Sequence, residues 1–166
     1  MINYTEKGIG LHRAVVAAGH WLMEIDGVWQ SSDDTAVQAI IDAYSLEDCK
    51  NEVCTAISAH AKSLRDKAVE NVSAGEMASW PIKRAEATAF VATGNADVAP
   101  MLTAEASARG VTLLEMISKV SGNAARLSLL EAQIGGIDGR HRDTVRGLAD
   151  FDSVLSYDWR TSWPMV

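Results

Sequence analysis

The stretch from Val111 to Asp150 constrains this chain more than any other. Apolar residues recur from Val111 through Leu114, Ile117, Val120, Ala124, Leu127, Leu130, Ile134 and Ile137, mostly three or four apart. That spacing places side chains on one face of an α-helix. Thr112 and Glu115 form a capping box, in which the Thr hydroxyl accepts from the third helical N–H and the Glu reaches back. Gly110 ends whatever precedes. Leu113, Met116 and Leu129 widen the stripe, so the helix is expected to meet more than one neighbour. Gly135, Gly136, Gly139 and Gly147 work against it, each costing about 1 kcal/mol relative to Ala inside a helix. Val145, Leu148 and Phe151 nevertheless resume the spacing. The expectation is a long helix kinked or briefly broken near Gly135; a plain turn at the glycines has equal standing.

At 166 residues the chain has room for one domain, or for a small lobe plus a helical body. Its 48% hydrophobic content supports a packed core and argues against wholesale disorder. No apolar run approaches the roughly 20 residues of a membrane-spanning helix. The opening Met-Ile-Asn-Tyr-Thr-Glu lacks the basic region and apolar core of a secretory signal, so synthesis in a cytoplasm is expected. A net charge of −7 argues against nucleic acid as the main partner, because that interaction is driven by Lys and Arg. Arg140, His141, Arg142 and Arg146 are a local exception, read first as a solvated helix face. Cys49 and Cys54 point to neither zinc nor a disulfide, and reduced, partly buried thiols are expected.

In chain order, residues 1–9 read as an extended lead-in and Leu11–His20 as a short helix with Leu11, Val15 and Ala18 inward and Val16 a further candidate for that face. Trp21 to Gln30 carries a hairpin signal: Asp26-Gly27 fits a tight turn whose two central residues need positive φ. A lone two-stranded ribbon is marginal in water, so Trp21 and Trp29 are expected to pack on adjoining helices or on a partner. Ser31 to Asp34 supplies N-cap residues for a helix over Thr35–Tyr44, and Ser45 with Asp48 starts a longer one to about Val72. Ser73 and Glu76 open a helix to about Thr93, with Pro81 read as lying in its first turns, where proline is tolerated. Asp97 is expected to cap a short helix from Val98 to Arg109. From Asp152 onward helical periodicity fades, and Tyr157, Trp159 and Trp163 sit in a tail read as extended.

Motifs that carry chemistry are missing. His141-Arg142-Asp143 matches the first letters of a kinase catalytic loop without its phosphate loop, strand Lys or Asp-Phe-Gly. Gly135-Gly136-Ile-Asp-Gly139 lacks the preceding strand of a dinucleotide fold. No serine occupies a nucleophile elbow. Asp33-Asp34 and Glu47-Asp48 are explained by helix starts. No catalytic residue, cofactor or metal site is assigned.

Three stretches carry a family resemblance. The opening Ile-Asn-Tyr-Thr-Glu-Lys-Gly-Ile-Gly-Leu-His, followed by Asp-Gly-Val-Trp-Gln-Ser-Ser-Asp-Asp-Thr-Ala, resembles the start of small tail-associated proteins of tailed bacteriophages and prophages. Met77-Ala-Ser-Trp-Pro-Ile-Lys-Arg-Ala-Glu-Ala and Ala99-Pro-Met-Leu-Thr-Ala-Glu-Ala-Ser-Ala-Arg-Gly resemble a helical domain toward the C-terminus of such proteins. Tyr157-Asp-Trp-Arg-Thr-Ser-Trp-Pro is similar to their endings. Relatives read as more continuously helical across residues 135–139. The resemblance implies a non-enzymatic structural part of a phage tail, at the baseplate, tail tip or fibre attachment. A tail-fibre assembly chaperone is the alternative, and a DNA-binding regulator a third reading resting on Arg140–Arg146.

The expected fold is mainly α: a lobe over residues 1–45 with the hairpin, a connecting helix over 46–72, and a helical domain over 73–166 ending in the Trp-rich tail. Expected partners are other tail, baseplate or fibre proteins, with several copies per particle in a virion and neither nucleic acid nor a membrane span. Trp and Tyr are favoured interface anchors. Tyr157, Trp159 and Trp163 are therefore the first candidates for partner contact, with Trp21 and Trp29 after them.

Overall fold

A computed structural model describes residues 2–166 and shows a mainly helical protein with one small hairpin. In order come α1 (Ile9–Ala17), β1 (Leu22–Ile25), β2 (Val28–Ser31), α2 (Asp34–Ala43), α3 (Leu46–Ala68) and α4 (Ala74–Thr93). A 3-10 turn (Ala96–Val98), α5 (Pro100–Arg109), α6 (Leu113–Gly147) and α7 (Phe151–Ser156) complete it. The chain forms two compact units, and neither is continuous in sequence. One holds the chain up to Lys62 together with Gly136–Trp163; the other holds Ser63–Gly135 with Pro164–Val166. The crossings fall inside α3 and α6, whereas the sequence pattern suggested divisions near residues 45 and 72.

Local chemistry explains the helix starts. Asp33 accepts from the Thr35 and Ala36 N–H groups, Ser73 from Glu76 N, and Asp150 from Ser153 N at 2.7 Å. Thr112 and Glu115 form the expected reciprocal pair, with Thr112 N donating to Glu115 Oε2 at 2.8 Å and Glu115 N to Thr112 Oγ1 at 3.2 Å. Ser45 and Asp48 repeat the pattern at α3. Such caps satisfy N–H groups that have no partner within the helix. In the hairpin, Asp26 and Gly27 take φ of 52° and 77°, the mirror-image turn that matches strand twist.

Unit 1 builds its core from both ends of the chain. Leu11 and Val15 of α1, Val37 and Ile41 of α2, and Ile57 of α3 pack in one cluster with Val145 of α6 and Val154 of α7. Close approach at Gly10 makes this possible. A Cβ there would press on the Tyr44 hydroxyl and lie 3.0 Å from Glu52 Cγ, so only glycine lets α1 seat against these side chains. Lys7 bridges in the other direction, its ammonium donating to the carbonyls of Ile41 and Tyr44 at 2.6 and 2.8 Å. Those carbonyls belong to the C-terminus of α2, where positive charge is favourable.

Unit 2 has a smaller, alanine-rich core: Ala87 of α4, Ala99, Leu102 and Ala106 around α5, and Met116 and Ile117 of α6. Asp97 does not cap α5. Asn95 caps the 3-10 turn instead. The N-terminus of α5 is capped from a distance by Glu86 of α4, whose two carboxylate oxygens accept from Met101 N and Leu102 N at 3.1 and 2.9 Å. Pro81 is the other departure. With α4 starting at Ala74, Pro81 lies in the helix interior, and the Met77 carbonyl loses the N–H it would otherwise bind.

α6 runs unbroken for 35 residues through all four of its later glycines, about 52 Å of helix. No proline falls within α6, and a Cβ at Gly136 or Gly139 would meet only open space. The inward face differs from the apolar stripe. Leu114, counted in the stripe, is 67% exposed, and Leu129 points outward as well. Met116, Ile117, Ile134 and Val145 are buried, and so is His141. Where a tail without helical periodicity was expected, α7 occupies Phe151–Ser156 and buries Val154. Six residues are too few for a helical repeat to register in sequence.

Candidate functional site

The aromatic residues singled out in the sequence separate into three settings within unit 1. Trp29 lies on the inner face of the hairpin, stacked on Tyr4 with ring centroids 3.8 Å apart, and both pack on the core. Tyr4 in turn bonds His12 Nε2 at 3.0 Å. Trp29 is thus largely committed to its own unit.

Tyr157, Trp159 and Trp163 fold back on α3 and α6. Tyr157 Oη lies 2.7 Å from His141 Nδ1, and His141 Nε2 lies 3.2 Å from the Thr161 carbonyl. A carbonyl only accepts, so Nε2–H donates to Thr161, and the Tyr157 hydroxyl partners the other ring nitrogen. Trp163 Nε1 donates to the Trp159 carbonyl at 2.8 Å, closing the turn. The His60 ring meets Trp163 and Trp159 edge-on at 4.9 and 5.9 Å, a geometry that matches positive ring edge to negative ring face. All three tail rings are half-buried and pack against the core of their own unit.

Trp21 is different. Strand pairing sets Leu22 opposite Ser31 and Ile25 opposite Val28. Because side chains alternate between faces, Leu22 and Trp29 turn inward while Trp21, Met23, Ile25 and Val28 share the other face. Their exposures are 43%, 46%, 39% and 49%, respectively. Four large apolar side chains on a single ribbon face are a contiguous patch of the kind that marks a contact surface, rather than the scattered apolar residues ordinary on any protein. Both strands also keep an unpaired edge, since the sheet has only two.

The basic run Arg140–Arg146 does not form one surface. His141 is buried against the tail, Arg142 lies 3.5 Å from Asp138 and Arg146 3.5 Å from Asp143. Cys49 and Cys54 are both free, and burial pushes both thiols up, away from the reactive thiolate form. Among the described residues no group of three His, Cys, Asp or Glu is placed to hold a metal ion, and no helix is long and apolar enough to cross a membrane. Comparison with family models, curated proteins and solved structures finds no match to this chain.

Unit 2 contains a feature that sequence reasoning missed: an open groove of about 1390 Å³ between α4 and α6. Met77, Trp80, Ala85 and Ala89 line one wall, and Val120, Ala124 and Leu127 the other. The core of this unit gathers at α5, the end of α4 and the start of α6. It leaves these other faces, spaced three to five residues apart, outside that core. The available signal was the apolar spacing itself, which reads as core and carries no hint that the covering element is lacking.

Proposed function

We propose that the chain is a non-enzymatic structural component of a bacteriophage tail, at the baseplate, tail tip or fibre attachment, acting through protein contacts and present in several copies. The observation that carries the contact function is the exposed ribbon face of Trp21, Met23, Ile25 and Val28. Tail membership rests on the resemblance at both ends and in the middle of the chain. In this reading the protein is made in the host cytoplasm and ends in the virion. The half-buried Tyr157, Trp159 and Trp163 add a second contact region on the same unit.

A ribbon with two free edges and an apolar face can extend a neighbour's sheet or seat its face in a neighbour's pocket. Either mode removes the patch from water, at roughly 25 cal/mol for each Å² buried. Trp21 is the natural anchor, since a large rigid ring loses little conformational freedom on binding. The test is the composition of purified virions. A structural part is present in fixed stoichiometry, and the double variant Trp21→Ser, Val28→Thr, which leaves the inner face untouched, is expressed and folded but fails to incorporate. A tail-fibre assembly chaperone, the second reading, finds support in the open groove of unit 2, suited to a client held transiently; it predicts absence from the mature particle. Normal incorporation of the double variant refutes the role given to the ribbon.

A further inference from the structure

The groove of unit 2 has a size, a length and a charge that together specify what fills it. Its α6 wall runs from Met116 to Leu130 and its α4 wall from Met77 to Ala92, each about 21 Å at 1.5 Å per residue. Dividing 1390 Å³ by that length leaves a cross-section of about 66 Å², a channel about 9 Å wide, against about 10 Å for an α-helix with small side chains. Small-molecule sites are shorter and smaller, mostly about 300–1,000 Å³. Both walls repeat at helical spacing, so they present ridges into which the i, i+3, i+4 and i+7 side chains of a third helix fit.

Charge decides the character of that helix. In a chain of net charge −7, six of the fifteen basic residues line this one groove: Lys67, Lys83, Arg84, Arg109, Lys119 and Arg126. Only two side-chain carboxylates accompany them, Glu76 and Glu105, together with the terminal carboxylate of Val166. Glu105 is already paired, with Lys83 at 2.7 Å and Arg109 at 2.5 Å. Arg126 donates only to the Asn123 side chain, and among the described residues no carboxylate lies within ion-pair distance of Lys67, Arg84 or Lys119. An apolar floor with unpaired cations on its rims repels a basic occupant and favours one whose flanks carry carboxylates.

We infer that the groove between α4 and α6 receives an amphipathic helix of a partner protein, about four turns long, apolar on one face and acidic along both flanks. The contact lies in unit 2, separate from the ribbon of unit 1, and it holds whether or not the protein is a tail component.

The test uses the full chain and two labelled peptides of about 14 residues, the helix length that spans 21 Å. Both are hydrocarbon-stapled so that a short helix is already formed, and both carry Leu at i, i+3, i+4 and i+7. One has Glu on its flanks, its twin Lys. Fluorescence anisotropy should show one site for the acidic peptide, at least about tenfold tighter than for the twin, with affinity falling as salt rises. Trp80 is the single Trp of unit 2, so binding should also shift its emission, and Trp80→Phe should abolish the shift. The exposed pair Arg84→Glu, Lys119→Glu should keep the helical circular dichroism and reverse the preference between peptides. Ala124→Trp, which fills the channel, should block both. Equal binding of the twins, no binding of either, or displacement by a random DNA duplex with equal potency each overturns the inference. So does a dimer in sedimentation that Leu127→Glu splits, because the groove would then be covered by a second copy.

Discussion

The glycines of α6 offer a direct measurement of whether this helix is as continuous in solution as its backbone geometry. Gly136 and Gly139 have helical dihedrals, and a methyl group at either would meet nothing within 4 Å. Replacing both by alanine therefore adds no clash and removes no needed conformation. Each substitution should stabilise by about 0.8–1 kcal/mol, partly by restricting the unfolded chain, for a total near 2 kcal/mol. For 166 residues, an unfolding entropy of about 2.1 cal/mol/K per residue gives ~0.35 kcal/mol/K, so Tm should rise by about 5 °C. Differential scanning calorimetry of Gly136→Ala, Gly139→Ala and the double variant supplies the numbers, and amide exchange at residues 132–143 reports on the helix itself. A fall in Tm, or exchange at 135–139 as fast as in a loop, would show that the helix breaks there and that the reasoning from its geometry fails.

Gly10→Ala should do the opposite, losing about 1–3 kcal/mol in urea titration through overpacking against Tyr44 and Glu52. Its partner Tyr44→Phe should be neutral or stabilising and should relieve part of the Gly10→Ala loss. The Tyr44 hydroxyl is buried without a hydrogen-bond partner, and burial pushes its pKa to about 12. Glu86→Ala removes the cap of α5 and should cost about 1–2 kcal/mol, seen as a lower urea midpoint with unchanged slope. Glu105 is held below the ordinary carboxylate range, first by its hydrogen bond from Lys83. A carboxylate shifted downward contributes stability that is fully present above its unfolded value, about 4.3, and is lost as pH falls below it. Glu105→Gln should therefore lower Tm at pH 7 and narrow the gap between pH 7 and pH 3.

Much of the fold was legible because it depends on neighbours in sequence. Asp26-Gly27 fixes its turn through its own dihedrals, and Thr112 with Glu115 caps through residues three apart. What escaped is what depends on distant partners. Glu86 caps α5 from another helix, making Asp97 dispensable for that role. His141 looked like part of a basic surface because its hydrogen-bond partners, the Tyr157 hydroxyl and the Thr161 carbonyl, come from the tail. Leu114 fits the apolar spacing as well as Ile117 does, yet it is exposed, because periodicity marks a face without saying how far its neighbours extend. The same limit applies to the site. Five aromatic side chains were singled out as contact candidates, and one of them, Trp21, lies on the open ribbon face. The groove was invisible because an uncovered apolar wall and a covered one have the same sequence.

Unit 1 needs both ends of the chain to make one core, since Leu11, Val37 and Ile57 are closed off by Val145 and Val154. A ribosome delivers the first group long before the second. The early helices and the ribbon must wait, with their apolar faces wet, while residues 63–135, which belong to the other unit, emerge. A message truncated anywhere in the last codons for α6 or α7 thus yields a chain whose start is as unfinished as its end. Such a product should be cleared by proteases before it can occupy a place meant for the complete protein.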